Sequence, residues 1–387
     1  MNAFDIQVYD LLSRAGISNG KQLQGFIDNQ VMQKYNELDI PGFQFAATNQ
    51  LDFTYEQVQG EFALNIMASY VDLDSPAIPD ATKGETIATG RIPRMKKVEY
   101  YNEDKIRKMR ILEEFKGANS ADVRAAAIAD LFVTADKLIG GHVNSISYQR
   151  HQIVSTGKFT LTAENNPNGI KGITFASHVP AANSNTLSGT ARWWTNAEKT
   201  TEGTTANPIA DLINMVEVAR RKGVRGHFEV NYNFLTKVLN HSKVVANIGI
   251  NALPAAAADA QAAYAGILGR ARKKAILEEL VGAPIVEIDH VVATQKVTKG
   301  VVENTLADAF AGDVVVFVPD GTLGEIVTVE PIAIAGGTYA RFLGDRGLLT
   351  VGADFEKKIQ SFNTEMTSLV VPSLPQYFYY LHTNPKA

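Results

Sequence analysis

The sequence predicts a mixed α+β fold built on long elements, and three observations predict it. One helical pattern runs unusually far, from Asn119 or Ser120 to about Ile153. A run of alternating helical and strand patterns follows between Thr205 and about Leu323, which marks a compact α/β module. The last quarter then carries Val314–Val318, a buried-type strand closed by Pro319-Asp320-Gly321, and an alternating strand from Thr364 into a stretch bracketed by Pro372 and Pro375.

Bulk properties narrow the class. A chain of 387 residues exceeds what one core usually organises, and 45% hydrophobic residues supply ample core material. A net charge of -4 argues against a dedicated nucleic-acid binder, which carries a basic domain. The absence of cysteine removes disulfides, thiolate metal sites and cysteine nucleophiles together. Met1 to Ile6 lacks the basic start and apolar run of a signal peptide, and no apolar run reaches membrane-spanning length. The expectation is a soluble chain, made in a cytoplasm, with no membrane contact.

The elements follow in order. Phe4, Val8, Leu11 and Leu12 share one helical face, and Leu23, Phe26, Ile27, Val31 and Tyr35 another, with Gly16 to Gly20 between. Two readings are open here: a small helical subdomain, or an arm gripping a neighbour. Phe62–Val71 and Thr86–Ile92 read as strands flanking Asp74–Gly84, a turn-rich segment without apolar period. The result is a long projecting hairpin. Its Pro, Gly and charged residues cannot form a core, so Ser75, Pro76, Pro79, Lys83 and Gly84 are candidate contacts with another chain.

Charge is segregated around that hairpin. Leu51 to Asp80 holds six acidic residues and no basic one, whereas Arg91 to Arg110 holds eight basic residues against three acidic. Such blocks either face solvent or pair within or between subunits. Arg94, Lys96 and Lys97 are the candidates on the basic side.

In the long helix, Val123, Ala127, Leu131, Ala135 and Leu138 form the stripe and Ile128 and Phe132 widen it, with Gly140-Gly141 as a possible bend. Lys158–Ala163 and Gly172–Ala176 read as a hairpin, followed by a polar loop from Ala181 to Thr205 around Trp193-Trp194. Asn207-Pro208 opens a helix stopped by Gly223. Phe228–Val230 and Pro284–Ile288 read as strands, Phe234–Leu239 as a short helix, and Ala260–Val281 as one Ala-rich helix.

Catalytic patterns were weighed against plainer ones. Gly16-Ile17-Ser18-Asn19-Gly20 has the letters of a nucleophile elbow, but helical periodicity on both sides favours an inter-helix turn. With Lys21 it imitates a phosphate loop, one residue short and without the following Ser or Thr. The seven histidines show no ligand spacing, and Glu287, Asp289 and His290 fall on both faces of a strand. Arg270 to Lys274 reads as a solvated helix face, with Lys274 and Glu278 as an i, i+4 pair. Trp193 and Trp194 fit an anchor under a loop better than a ligand platform. No cofactor or metal is expected, and the chain reads as no enzyme.

The order of features resembles the lambda-type family of phage major capsid proteins. It rests on Ala68-Ser69-Tyr70-Val71-Asp72-Leu73-Asp74-Ser75-Pro76-Ala77, the return at Arg91-Ile92-Pro93, the long helix, Trp193-Trp194 leading to Asn207–Leu212, the strand and turn at Val314–Gly324, and Thr364–Pro375. The resemblance implies the Hong Kong 97-like fold, with an L-shaped subunit. It would place an N-terminal arm at 1–67, an extended loop at 68–100, a peripheral domain with the spine helix at 101–204, an axial domain at 205–325, and a return with the closing strand at 326–387. It implies hexamers and pentamers in a virion shell assembled in the host cytoplasm, with scaffolding, portal and decoration proteins as partners. A weakly acidic wall would enclose double-stranded DNA without sequence-specific binding. An encapsulin-type compartment shares the fold and encloses enzymes instead; an α/β hydrolase is the rival from another class. A crosslink from Lys83 to Asn363 beside Glu365 is conceivable, though the expectation is a shell held non-covalently.

Overall fold

The computed structural model describes residues 11–35, 40–59, 86–101, 103–117, 120–298, 301–333, 338–354 and 359–384. The chain divides into two compact units: Met1–Tyr55, Gly90–Ser147 and Glu325–Val370 form one, and Glu56–Thr89, Tyr148–Gly324 and Val371–Ala387 the other. Helices and strands are mixed in both, as the α+β expectation has it.

The first unit is organised around the strand Ile359–Pro372. Its 14 residues rise about 3.3 Å each, where five or six residues are usual. Gly347–Asp354 and Arg94–Tyr101 pair with it antiparallel along its two edges. Thr338–Phe342 lies beyond the first of these, and Gly324–Val329 carries Phe43–Phe45 at the other end of the sheet. Gln360, Phe362, Thr364 and Met366 are buried while Ser361, Asn363 and Glu365 are half-exposed, the period of two that covers one face. Two N-terminal helices, Leu11–Ala15 and Gly20–Phe26, pack within this unit, where Gln24 Nε2 donates to the Arg341 carbonyl (2.8 Å) and the Arg341 N–H donates to Gln24 Oε1 (2.6 Å). Phe4 and Val8 lie outside the described residues.

The long helix is longer than its periodicity suggested: Ala121–Thr156, 36 residues and about 54 Å. Ser120 Oγ accepts from the Val123 N–H (3.2 Å), which decides between the two possible caps. The stripe from Val123 to Leu138 is buried. The helix runs unbroken through Gly140-Gly141, and these glycines make room instead. A Cβ at 140 would stand 2.7 Å from the Tyr35 hydroxyl, and one at 141 would stand 2.7 Å from Lys97 Nζ.

The second unit holds a mixed five-stranded sheet in the order Ser184–Thr186, Tyr379–His382, Val314–Pro319, Gly226–Asn231, Ile285–Ile288. All six residues of Val314–Pro319 are buried, because it is the central strand and covered on both faces. Helix Pro208–Arg221 begins as expected, with Asn207 Oδ1 accepting from the Ala210 N–H (3.3 Å), and Gly223 follows it at φ +74°. Leu212, Met215, Phe228, Phe234, Leu277 and Phe317 share the core.

Several expectations need correction. Ala260–Val281 is two helices, Ala258–Ile267 and Arg270–Val281, because Leu268 turns extended (ψ 133°) and Gly269 starts a new helix. Helix Ser242–Ala252 and the antiparallel pair Val291–Thr298 and Val301–Asp308 were not foreseen. The strand paired with Thr86–Arg91 among the described residues is Thr54–Gln59, upstream of the one expected. The expected strand Phe62–Val71 and the hairpin tip Asp74–Gly84 lie outside the described residues.

Candidate subunit-contact surface

The strand Arg94–Tyr101 sorts its side chains by alternation. Arg94, Lys96, Val98 and Tyr100 are exposed on one face, and Lys97, Glu99 and Tyr101 reach the long helix from the other. In register, Arg94 stands opposite Thr367 and Lys96 opposite Glu365. Arg94 Nη2 donates to Glu365 Oε2, and Lys96 Nζ lies 3.6 Å from the same oxygen. Their side chains remain 46% and 63% exposed, so both lie open at the surface.

Lys97 is turned inward. Its Nζ donates to the Lys137 carbonyl (2.8 Å), and burial together with the Lys137 charge lowers its pKa. Burial would raise the Glu99 carboxyl, but Lys137 (2.8 Å) and Lys105 (3.5 Å) outweigh it and hold the group low. Arg107 pairs with Glu103 one turn away at 2.6 Å. In the acidic block, Asp52 accepts from the Phe53 N–H and the Thr54 hydroxyl, each at 2.6 Å. The basic residues named here therefore have partners nearby in the same unit. Ser75, Pro76, Pro79, Lys83 and Gly84 lie outside the described residues. Asn363 Nδ2 donates to Ser361 Oγ (3.2 Å) and Glu365 is held by Arg94, which is the surrounding of the conceivable crosslink acceptor.

The motif-bearing residues have structural partners. Ser18 sits in the turn between two helices and hydrogen-bonds Gln22 Oε1 (2.9 Å), while Asn19 caps the second helix (2.9 Å). Trp193 and Trp194 are buried; Trp193 Nε1 donates to Asp211 (2.8 Å) and its ring stacks on Phe234 at 6.1 Å. Lys274 lies 3.8 Å from Glu278, as its spacing predicts, and 3.2 Å from Glu287, which Arg270 also holds. Among the described residues, no group of three His, Cys, Asp or Glu side chains is placed to hold a metal ion.

Sequence reasoning missed a buried charged cluster in the second unit. Arg150 and Glu229 form a two-pronged pair, with Nη1 donating to Oε2 at 2.6 Å and Nη2 to Oε1, both side chains being at most 2% exposed. Burial pushes the Glu229 carboxyl up, but the Arg150 charge and the hydrogen bonds from His227 and Arg150 prevail and hold it at about 2. His227 bridges Glu229 (3.7 Å) and Asp320 (2.9 Å), and those acceptors raise its pKa despite burial. His151 packs against His290 and Phe310, and burial with the Arg150 charge holds its pKa at about 3. No sequence signal joins positions 150 and 229. The missed ribbon did leave one: β-branched residues are dense on both sides of Lys299-Gly300, with Val291, Val292, Thr294, Val297 and Thr298 before it and Val301, Val302 and Thr305 after it.

No protein-family model matches the chain, and no curated protein matches it. Solved structures do. A phage-related protein from Bordetella bronchiseptica RB50 is 13% identical, covering 96% of each chain at a TM-score of 0.44. A prophage protein of E. coli CFT073, described as a capsid-protein candidate, is 13% identical over 94% of this chain and 99% of that one, TM-score 0.48. The capsid protein of cyanophage P-SCSP1u is 12% identical over 90% and 88%, TM-score 0.46.

Proposed function

We propose that this chain is the shell-forming subunit of a tailed phage head, of the lambda-type family and the Hong Kong 97-like fold, enclosing double-stranded DNA without reading its sequence. The observation that carries the reading is the length of two elements, a 36-residue helix and a 14-residue strand, the greater part of each lying in the same unit. Elements of that length serve a subunit spread over a surface better than an enclosed active site. The ordered sequence features from Ala68 to Pro375 support the same reading.

On it, Ser75, Pro76, Pro79, Lys83 and Gly84 reach a neighbouring copy, with Arg94 and Lys96 flanking that contact and Lys97 supporting it from within. Copies close into hexamers and pentamers, with scaffolding, portal and decoration proteins as partners, assembled in a host cytoplasm into a virion shell.

Negative-stain microscopy of the purified chain, alone and with a scaffold partner, tests this. Closed shells, tubes or capsomers are expected. A chain that stays monomeric at high concentration and across salt conditions refutes it. Replacing Ser75–Gly84 by a short turn should leave a folded subunit that forms no closed shell. Enzymes in place of DNA inside particles would point to a compartment of the encapsulin kind.

A further inference from the structure

The end of helix Pro208–Arg221 and the turn after it carry positive charge that the fold leaves open. Arg220, Arg221, Lys222 and Arg225 are all exposed, four cations within six positions. The backbone closes this helix end itself: the Lys222 and Val224 N–H groups reach the Ala219 carbonyl (3.0 Å each), and the Gly223 N–H reaches that of Arg220 (2.9 Å). Attraction to the helix dipole accounts for Arg220 and Arg221, but it fades beyond the last turn, where Arg225 stands. Other basic runs are neutralised in place. Arg270 and Lys274 share Glu287, Arg94 and Lys96 share Glu365, and Arg107 has Glu103. Here two carboxylates stand near four cations, and each is already engaged. Glu217 accepts from Arg221 Nη2 (2.7 Å) with the Arg220 charge nearby, and Asp320, whose N–H donates to the Arg225 carbonyl, has His227 Nδ1 at 2.9 Å. Lys222 Nζ donates to the neutral Asn183 Oδ1 (3.2 Å), which leaves its charge uncompensated. Among the described residues, the guanidinium groups of Arg220 and Arg225 make no hydrogen bond or ion pair.

We infer that Arg220, Lys222 and Arg225 hold phosphates of a DNA duplex enclosed by the shell, an inference that rests on the shell reading above. Chemistry selects the occupant. A protein contact builds its centre from apolar and aromatic surface. Between these cations the chain offers Gly223, half-buried Val224 and buried Ala219, with Val218 open beside them. Single strands are held by stacking on exposed rings, whereas Tyr379, the ring under Lys222, is buried. Cations on long stems fit phosphate oxygens, which carry no sequence information. A few such contacts per subunit are weak singly and add over many copies, which suits a wall whose chains each carry a net charge of -4.

The test titrates a labelled duplex of about 20 bp with unassembled subunits and follows its fluorescence anisotropy. Three phosphate contacts give a log–log salt slope of about -2.7, or about 40-fold weaker binding at 200 mM than at 50 mM salt. Arg220→Gln with Arg225→Gln, both at exposed positions, should keep the wild-type circular dichroism spectrum, bring the slope to about -0.9 and weaken binding at least tenfold. Arg107→Gln with Lys274→Gln removes the same charge from paired positions and should change neither slope nor affinity. Binding that the first variant leaves intact, or that salt does not weaken, overturns the inference. Polyglutamate that displaces the duplex at equal charge overturns the choice of nucleic acid, and a single strand bound at least tenfold tighter overturns the choice of a duplex. Subunits that assemble but bind no duplex overturn this contact and leave the shell reading standing. Subunits that bind it but never assemble overturn the shell reading on which the inference rests.

Discussion

Replacing Arg150 by Met would strand a buried carboxylate. Glu229 would keep its position on the central sheet and lose both guanidinium bonds in a site at most 2% exposed. Removing one partner of such a pair costs about 3–5 kcal/mol, chiefly the cost of an uncompensated buried charge. Holding the carboxyl at about 2 instead of 4.5 corresponds to about 3 kcal/mol, which agrees with the lower end. Arg150→Met combined with Glu229→Leu removes both charges and should lie within about 2 kcal/mol of wild type. Urea unfolding followed by tryptophan fluorescence is the assay, since the chain's two tryptophans, Trp193 and Trp194, both lie in this unit's core. The pH dependence has a definite sign: a depressed carboxyl contributes stability above its unfolded pKa and loses it as pH falls from about 4.5 toward 2. A loss under 1 kcal/mol for the single variant, or a double variant as costly as the two singles summed, would refute this account of the pair.

Three further outcomes are expected. Burial of the His142 ring, with the Lys97 charge nearby, holds its pKa at about 4 against 6.5; its contribution is full above pH 6.5 and falls away toward pH 4, about 3 kcal/mol, so His142→Gln should flatten acid unfolding in that window. Gly249→Ala places a Cβ 2.6 Å from the Gln261 carbonyl oxygen, forcing helices Ser242–Ala252 and Ala258–Ile267 apart at about 1–3 kcal/mol, measured by the same fluorescence; a change under 0.5 kcal/mol shows the helices can shift freely. Lys96→Glu, at a 63% exposed side chain, should move unfolding by no more than about 1 kcal/mol yet impair assembly, and wild-type assembly should weaken at molar salt, where screening acts within about 3 Å. Particles insensitive to both would place the basic block outside any subunit contact.

What could be read from the sequence was local. The stripe Val123 to Leu138 predicts its helix because a period of 3.6 leaves one face apolar, and Ser120, Asn207, Pro208 and Gly223 mark ends because they satisfy or terminate the backbone beside them. Val314–Val318 announces a central strand because only a strand covered on both faces tolerates an unbroken apolar run. The inter-helix turn at Ser18 and the anchoring of Trp193 and Trp194 follow from their neighbours alone.

Where two distant segments meet was decided only in three dimensions. Arg150 and Glu229 each look like surface charges, and their pairing exists because the end of the long helix meets the strand Gly226–Asn231. Gly140-Gly141 reads as a bend, yet these residues give Tyr35 and Lys97 their approach to the helix. Arg94 and Lys97, three positions apart in one basic run, part company because alternation sends one outward to Glu365 and the other to Lys137. The ribbon's β-branched runs were present in the sequence, but that it stands with residues of both faces exposed was not, because strand register fixes which residues share a face and only packing fixes what that face touches.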